Sequence, residues 1–165
     1  MPADLAMWAD RYEVIILEGC DGVGKTTYAA ALATGYGYQR VHADRTPEGT
    51  DLFQRHRSIL TLPGRLVMDR SFVSELVYGP LLHGRCRLTS AQVAELLSMV
   101  NTRHGVLVHL HATPEHIHAR LLARDGAAPT LDELRAVVAR YFVVFSDLAR
   151  HVEVLTVDNA DSSAA

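Results

Sequence analysis

The chain has 165 residues, of which 48% are hydrophobic and 21% charged, and its formal net charge is −3. These totals are typical of one ordinary globular domain that buries its own core, and they exclude a general electrostatic attraction to nucleic acid, although a local basic patch is not excluded. Two cysteines are too few for a disulfide scaffold, and the sequence has neither a signal-peptide pattern nor an apolar stretch of about 18 residues, so we expect a cytoplasmic protein with no membrane span.

Short apolar runs alternate with helical patterns along the whole chain. In chain order, the predicted elements are a strand at Val14–Glu18, a helix at Lys25–Leu32, a strand at Tyr38–His42, a helix at Thr50–Leu60, a strand at Arg65–Asp69, a helix at Ser71–Leu82, a helix from Thr89 to about Asn101, a strand at Val106–His111, a helix from Pro114, a helix from Thr130 and a strand at Val152–Val157. Strands that alternate with helices form a parallel sheet covered on both faces. The prediction is therefore an α/β fold in three layers, with a five-stranded parallel sheet and residues 1–165 in a single domain.

Helix caps and the chain end refine these boundaries. Thr89 with Gln92, and Thr130 with Glu133, have the spacing of capping boxes, and Thr113 precedes a proline at the first helical position. Residues 158–165 are low in complexity, so we expect a mobile tail.

The segment from Gly19 to Thr26 reads GCDGVGKT and satisfies G-x-x-x-x-G-K-[ST] between a predicted strand and a predicted helix. Its glycines let backbone N–H groups point at phosphate oxygens, and the helix that begins near Lys25 adds the positive end of its dipole. Lys25 brings a full charge to the β- and γ-phosphates of ATP, and the Thr26 hydroxyl can ligate Mg²⁺. The residues of this segment predicted to bind ATP are Gly19, Asp21, Gly22, Val23, Gly24, Lys25, Thr26 and Thr27.

Residues 17–27 (LEGCDGVGKTT) resemble the P-loop of thymidylate kinases and related deoxynucleoside monophosphate kinases. Three further segments agree with that family in order and placement. Residues 45–50 (RTPEGT) look like its arginine-proline-glycine loop, residues 67–79 (VMDRSFVSELVYG) resemble its Asp-Arg motif, and residues 107–126 (LVHLHATPEHIHARLLARDG) look like its strand, capped helix and lid base. Residues 157–161 (VDNAD) lie where the family keeps an adenine-contacting loop.

The resemblance implies a P-loop NTPase fold of the nucleoside monophosphate kinase type and a phosphotransferase that uses ATP and Mg²⁺. Asp21 would contact the sugar hydroxyl of the acceptor, and Arg70 would hold its phosphate. Asp69 would lie near Mg²⁺ with Thr26, or hydrogen-bond the acceptor. Arg124 would lie at the ATP end of a short lid of residues about 125–130, with Arg120 as its alternative.

The region that contacts the acceptor base is much shorter here than in the family. Only residues 51–64 stand between the RTPEGT segment and the Asp-Arg strand, and Phe53, Arg55 and Arg57 are the available substitutes. We assign Arg45 and Phe53 to the acceptor side, and the base that is phosphorylated stays open.

The main hypothesis is ATP- and Mg²⁺-dependent transfer to a deoxynucleoside monophosphate, with Lys25, Asp69, Arg70 and Arg124 as catalytic residues. One alternative is a kinase of a nucleoside, an antibiotic or a nucleotide within DNA. Another is a nucleotide-dependent switch or binding module, although the sequence lacks the guanine-reading Asn-Lys-x-Asp pattern and the Asp-Arg pair argues for an acceptor site. A homodimer is left open, and no histidine spacing matches a zinc site.

Overall fold

Strands and helices alternate along the chain in the computed structural model, which describes residues 4–43 and 46–160. The strands are β1 (Val14–Glu18), β2 (Gln39–His42), β3 (Leu66–Asp69), β4 (Gly105–His111) and β5 (Val154–Asp158). The helices are α1 (Leu5–Arg11), α2 (Lys25–Tyr36), α3 (Leu52–Leu60), α4 (Val73–His83), α5 (Ser90–Thr102), α6 (Pro114–Asp125) and α7 (Leu131–Leu148).

The five strands form one parallel sheet in the order β2-β3-β1-β4-β5. The central strand β1 is completely buried because it pairs with β3 on one side and β4 on the other. Alternate residues of β1 enter two hydrophobic clusters, Ile15 and Leu17 in one and Val14 and Ile16 in the other. The sheet therefore has a core on each face, as the three-layer prediction requires.

The predicted caps are present. Both capping boxes form, with Gln92 N donating to Thr89 Oγ1 at 3.2 Å and Glu133 N donating to Thr130 Oγ1 at 3.2 Å. The Thr113 side chain accepts from His116 N at 3.2 Å and fixes the start of α6.

Several predicted boundaries are wrong by a few residues, and one helix was not predicted. Helix α2 continues to Tyr36 because Gly35 is tolerated inside it, and the left-handed Gly37, with a φ of 72°, then ends it. Helix α3 begins at Leu52 rather than Thr50 because the Asp51 side chain caps it. Helix α1 is only 7 residues long and is held by packing, since the ring of Trp8 stacks on Tyr28 with centroids 5.9 Å apart. Within the described ranges, no helix has the length and hydropathy that crossing a bilayer requires.

Candidate active site

The loop from Gly19 to Gly24 joins the carboxyl end of β1 to α2, and two of its glycines cannot carry a side chain. A Cβ on Gly19 would lie 2.1 Å from the carbonyl oxygen of Leu110 in β4, and its φ is 152°. A Cβ on Gly24, whose φ is 103°, would lie 2.6 Å from Nδ2 of Asn159. The loop is therefore held tightly between β4 and the residue that follows β5, with the α2 N-terminus directly behind it.

Lys25 is folded into this loop. Its ammonium donates to the carbonyl oxygens of Gly19 at 2.7 Å and Cys20 at 2.9 Å, and the residue is only 5% exposed. Burial lowers the pKa of Lys25, whereas the nearby carboxylates of Glu18 and Asp69 act in the opposite direction. The charge thus lies where the P-loop motif predicts it, at the centre of the loop.

Asp69 ends β3 next to the loop. Its Oδ2 accepts from the Thr26 hydroxyl at 2.8 Å, and the carboxylate is 1% exposed. Arg40 and His42, both on β2, also approach Oδ2, at 3.3 Å each. The structure therefore joins the two residues predicted as magnesium ligands. Sequence reasoning missed Arg40 and His42, although their spacing of two on a strand places both side chains on one face.

Arg70 and Asp21, the two residues predicted to contact the acceptor's phosphate and sugar, are paired with each other. The Arg70 guanidinium forms an ion pair with the Asp21 carboxylate, so the turn after β3 reaches the P-loop. Arg70 has a φ of 72°, which is rare for a residue with a side chain. Its side chain is partly exposed and thus accessible to a ligand.

Glu18 was not predicted as a site residue, yet it is fully buried at the end of β1, directly before the P-loop. Its Oε1 accepts from the backbone N of Ser71 at 2.6 Å and of Ser74 at 3.1 Å, and the Tyr141 hydroxyl lies 3.2 Å from Oε2. Burial raises the pKa of Glu18, while the charge of Lys25 lowers it. An acidic residue at the end of an otherwise apolar buried strand is the sequence signal that could have identified it.

The two arginines of α6 have different contacts. Arg120 donates to the carbonyl oxygens of Asn159 at 2.7 Å and Gly22 at 3.4 Å, so it joins the P-loop to the end of β5. Arg124 is exposed and donates to Asp125 at 2.7 and 2.6 Å. The pKa of Lys25 is lowered chiefly by burial, and the Arg124 charge adds a small contribution in the same direction.

Asn159 supports the loop from beneath. Its Nδ2 donates to the carbonyl oxygen of Val23 at 2.7 Å, and its backbone N donates to the carbonyl oxygen of His111 at 2.8 Å. It belongs to the segment that the family resemblance placed at the adenine.

The residues assigned to the acceptor base are only partly described. Arg45 lies outside the described residues. Phe53 is half-buried on α3, Arg55 donates to the Thr46 hydroxyl at 2.7 Å, and Arg57 faces α5, where it pairs with Glu95 at 3.5 Å. Their assignment to the acceptor stays a prediction. Cys20, the second residue of the loop, is buried in the hydrophobic cluster that contains Ile15 and Leu17.

No protein-family model matches the chain, and no curated protein sequence matches it. Solved structures do resemble it. The YorR protein of Bacillus subtilis, in complex with phosphorylated GDP, is 24% identical with a TM-score of 0.81, over 91% of this chain and 88% of that one. Deoxyadenosine kinase of M. mycoides, with dCMP and dCDP bound, is 12% identical with a TM-score of 0.60, over 88% and 90%. The likeness confirms the predicted α/β fold, which the M. mycoides deoxyadenosine kinase shares, and at these identities it establishes the fold alone.

Proposed function

We propose that this protein transfers the γ-phosphoryl group of ATP to a small nucleotide, and that the acceptor is a deoxynucleoside monophosphate of the thymidylate type. One observation carries the proposal: a loop shaped for a triphosphate and an arginine suited to a second phosphate lie side by side at one sheet edge. Asp69, bonded to Thr26, and Arg70, paired with Asp21, are consecutive residues. A module that only bound ATP would need the loop and not the arginine.

The donor side is built from backbone and one lysine. The amides of the loop and of the first turn of α2 would bind the β- and γ-phosphates, and Lys25 would exchange its carbonyl partners, Gly19 and Cys20, for phosphate oxygens. Thr26 and Asp69 fit Mg²⁺, because this ion takes one or two carboxylates together with waters and substrate phosphates. When bound, Mg²⁺ would neutralise charge on the transferring group.

On the acceptor side, the arginine fork matches the oxygens of a monophosphate. An acceptor phosphate would compete with the Asp21 carboxylate for Arg70, which frees Asp21 to accept a hydrogen bond from the sugar hydroxyl. A phosphate oxygen attacks without losing a proton first. The chain then needs only to align the two phosphates and balance their charge, which is how phosphoryl transfer is generally catalysed.

A nucleoside is the second candidate acceptor. It is favoured by the fold likeness to a deoxyadenosine kinase that was solved with its product dCMP. A nucleoside hydroxyl must lose its proton during transfer, and Asp69 would be the carboxylate at the reacting end.

The two candidates are separated by the product that acquires the label. The protein is incubated with ATP labelled at the γ-phosphate, Mg²⁺ and, separately, deoxynucleosides, their monophosphates including thymidylate, and single-stranded DNA. We expect label in a diphosphate. Label in a monophosphate would favour the nucleoside, label in DNA or only in inorganic phosphate would contradict the proposal, and the Lys25→Ala variant controls for contaminating kinases.

A further inference from the structure

The buried carboxylate of Glu18 joins three separate parts of the chain. It ends β1, directly before Gly19, the first residue of the P-loop. Its Oε1 accepts from the backbone N and the hydroxyl of Ser71 at 2.6 and 2.9 Å, in the turn after β3. The hydroxyl of Ser74 lies 2.9 Å and that of Tyr141, on α7, 3.2 Å from Oε2. Such a set of donors is what a carboxylate needs in order to be buried.

These bonds fix the peptide that follows Arg70. Ser71 N is the next backbone donor after the Arg70 Cα, so its bond to Glu18 sets the rotation of the Arg70 backbone. Arg70 is one of two non-glycine residues with positive φ in the described part of the chain, a conformation that persists only where the surroundings impose it. On the other side, Arg70 N donates to the carbonyl oxygen of Leu17 at 3.1 Å. Consecutive residues of β1 thus hold Arg70 from both sides.

Packing alone does not require an acid here. The preceding four residues of β1 are Val14, Ile15, Ile16 and Leu17, all 0% exposed, and another apolar residue would continue the strand. Burial of a carboxylate is unfavourable, and it raises the pKa of Glu18, so a residue kept for packing would not be acidic.

We propose that Glu18 is a positioning residue that locks the Arg70–Ser71 turn onto the strand bearing the P-loop, and thereby fixes the acceptor arginine relative to Lys25. The inference rests on the proposed function, because it gives Arg70 the acceptor phosphate. Transfer between two phosphates depends on their alignment. Glu18 supplies this alignment because its carboxylate lies next to the donor loop and also holds the turn that bears the acceptor arginine. Tyr141 extends the same network to α7, the helix that follows the predicted lid.

The test compares Glu18→Leu with Glu18→Gln in steady-state kinetics for both substrates. Leucine removes the carboxylate acceptor of the Ser71 amide and leaves the Ser74 amide only its bond to the Ser71 carbonyl oxygen at 3.2 Å. The glutamine oxygen can keep both bonds, while the hydroxyls of Ser74 and Tyr141 turn to accept from its NH₂. We expect Glu18→Leu to raise the acceptor KM at least about 10-fold and to leave the ATP KM within about 2-fold, with Glu18→Gln close to wild type. If glutamine fails as badly as leucine, or if both KM values rise together, the positioning role is wrong.

A double-mutant cycle with Arg70→Ala separates positioning from general support of the fold. If Glu18 acts through Arg70, Glu18→Leu adds less than about 2-fold to the acceptor KM in the Arg70→Ala background, whereas independent effects would multiply and contradict the proposal. If Glu18→Leu does not fold, Glu18→Asp, one methylene shorter, takes its place with the same expectations. Wild type is assayed alongside. If wild type transfers no phosphate, both the proposed function and this inference are wrong. If wild type transfers phosphate but Glu18→Leu and Glu18→Gln have the same acceptor KM, only the inference is wrong.

Discussion

Lys25 is the only lysine in the chain, which makes its role unusually easy to isolate. We expect Lys25→Ala to remain folded and to lose transfer by at least about 100-fold, because a charge on the β- and γ-phosphates is removed from a charged transition state. The measurement is kcat with thermal unfolding as the control for folding. A lysine-acylating derivative of ATP gives an independent check: one side-chain adduct is expected, and excess ATP should prevent it. Turnover near the wild-type rate in Lys25→Ala would exclude the P-loop as the donor site.

Arg70 is expected to serve the acceptor and not ATP. Its guanidinium pairs with Asp21 at the partly exposed end of β3, where a bidentate phosphate contact is possible. Arg70→Ala should raise the acceptor KM about 10-fold or more and leave ATP saturation nearly unchanged. The matched control is Arg11→Ala, which breaks a surface ion pair with Glu153 at 3.1 Å. If ATP saturation suffers and acceptor saturation does not, Arg70 belongs to the donor side.

The transition-state charge is expected from Arg124, with Arg120 as the alternative. The variable positions of the P-loop carry no arginine and residues 125–133 carry no basic residue, so the lid base is the remaining source. Arginines in this role contribute roughly 10³–10⁵-fold in rate. Gly126 has a φ of 73° and is the expected flex point of the lid. When the lid closes there, Arg124 would leave its ion pair with Asp125 and reach the phosphates.

Single-turnover rates at saturating ATP decide between these roles. We expect a slow chemical step in both Arg124→Ala and Arg124→Lys, while Arg135→Ala, which loses exposed ion pairs with Glu115 and Asp132, behaves as wild type. An arginine that only stacks on adenine would weaken ATP binding and leave the step normal. A normal step in Arg124→Ala with a slow one in Arg120→Ala would transfer the role to Arg120.

Among the elements, β5 is followed by Asn159, whose side chain is bonded to the P-loop. Asn159→Ala keeps the backbone bonds to His111 and Arg120 but removes the bond from Nδ2 to the Val23 carbonyl. We expect a loss of about 1 kcal/mol in unfolding free energy and a higher ATP KM, with the acceptor KM unchanged. Asn101→Ala, which removes a comparable 2.8 Å bond to His151 far from the loop, is the control and should leave the ATP KM unchanged. An equal effect of both variants on the ATP KM would show that Asn159 has no special role.

The predictable elements were those with local signals. The capping boxes at Thr89 and Thr130 and the apolar run of β1 depend on neighbouring residues alone, so the sequence predicts them directly. Helix α1 has no such signal, because its stability comes from Trp8 packing on Tyr28. For the same reason the P-loop was predictable from its own motif. The placement of Asp69 near Thr26, 43 residues away, came from the family resemblance, and Glu18 acquires its partners only when β1, the β3–α4 turn and α7 meet.

For the molecule as a whole, we expect two buried histidines to make the free energy of unfolding sensitive to acid. His56 and His109 are each 2% exposed, and burial lowers the pKa of each to about 4. The ring of His109 stacks on Phe145 with centroids 4.5 Å apart, and Nδ1 of His56 has no hydrogen-bond partner in the described ranges. Below pH 6.5 the unfolded chain binds protons that the folded protein does not, so the stability present above that pH is lost as the pH falls toward 4.

Urea unfolding at neutral pH and near pH 4.5 measures this loss. Each histidine should contribute roughly 2 kcal/mol to it, so His109→Phe should lose less stability than wild type between the two pH values. His83→Phe, at an exposed position, is the control and should keep the wild-type pH dependence. An unchanged pH dependence in His109→Phe would show that His109 is not a source of the sensitivity.

The central claim is that two phosphates meet at the edge formed by the P-loop and the end of β3. Phosphorus NMR of the protein with ATP, Mg²⁺ and the preferred deoxynucleoside monophosphate tests it most directly, because every phosphorus is followed at once. We predict that the γ-signal of ATP and the signal of the monophosphate decline together, while the signals of two diphosphates grow in equal amount and Arg70→Ala slows all of these changes. A decline of the γ-signal matched only by inorganic phosphate, with the monophosphate untouched, would contradict the account.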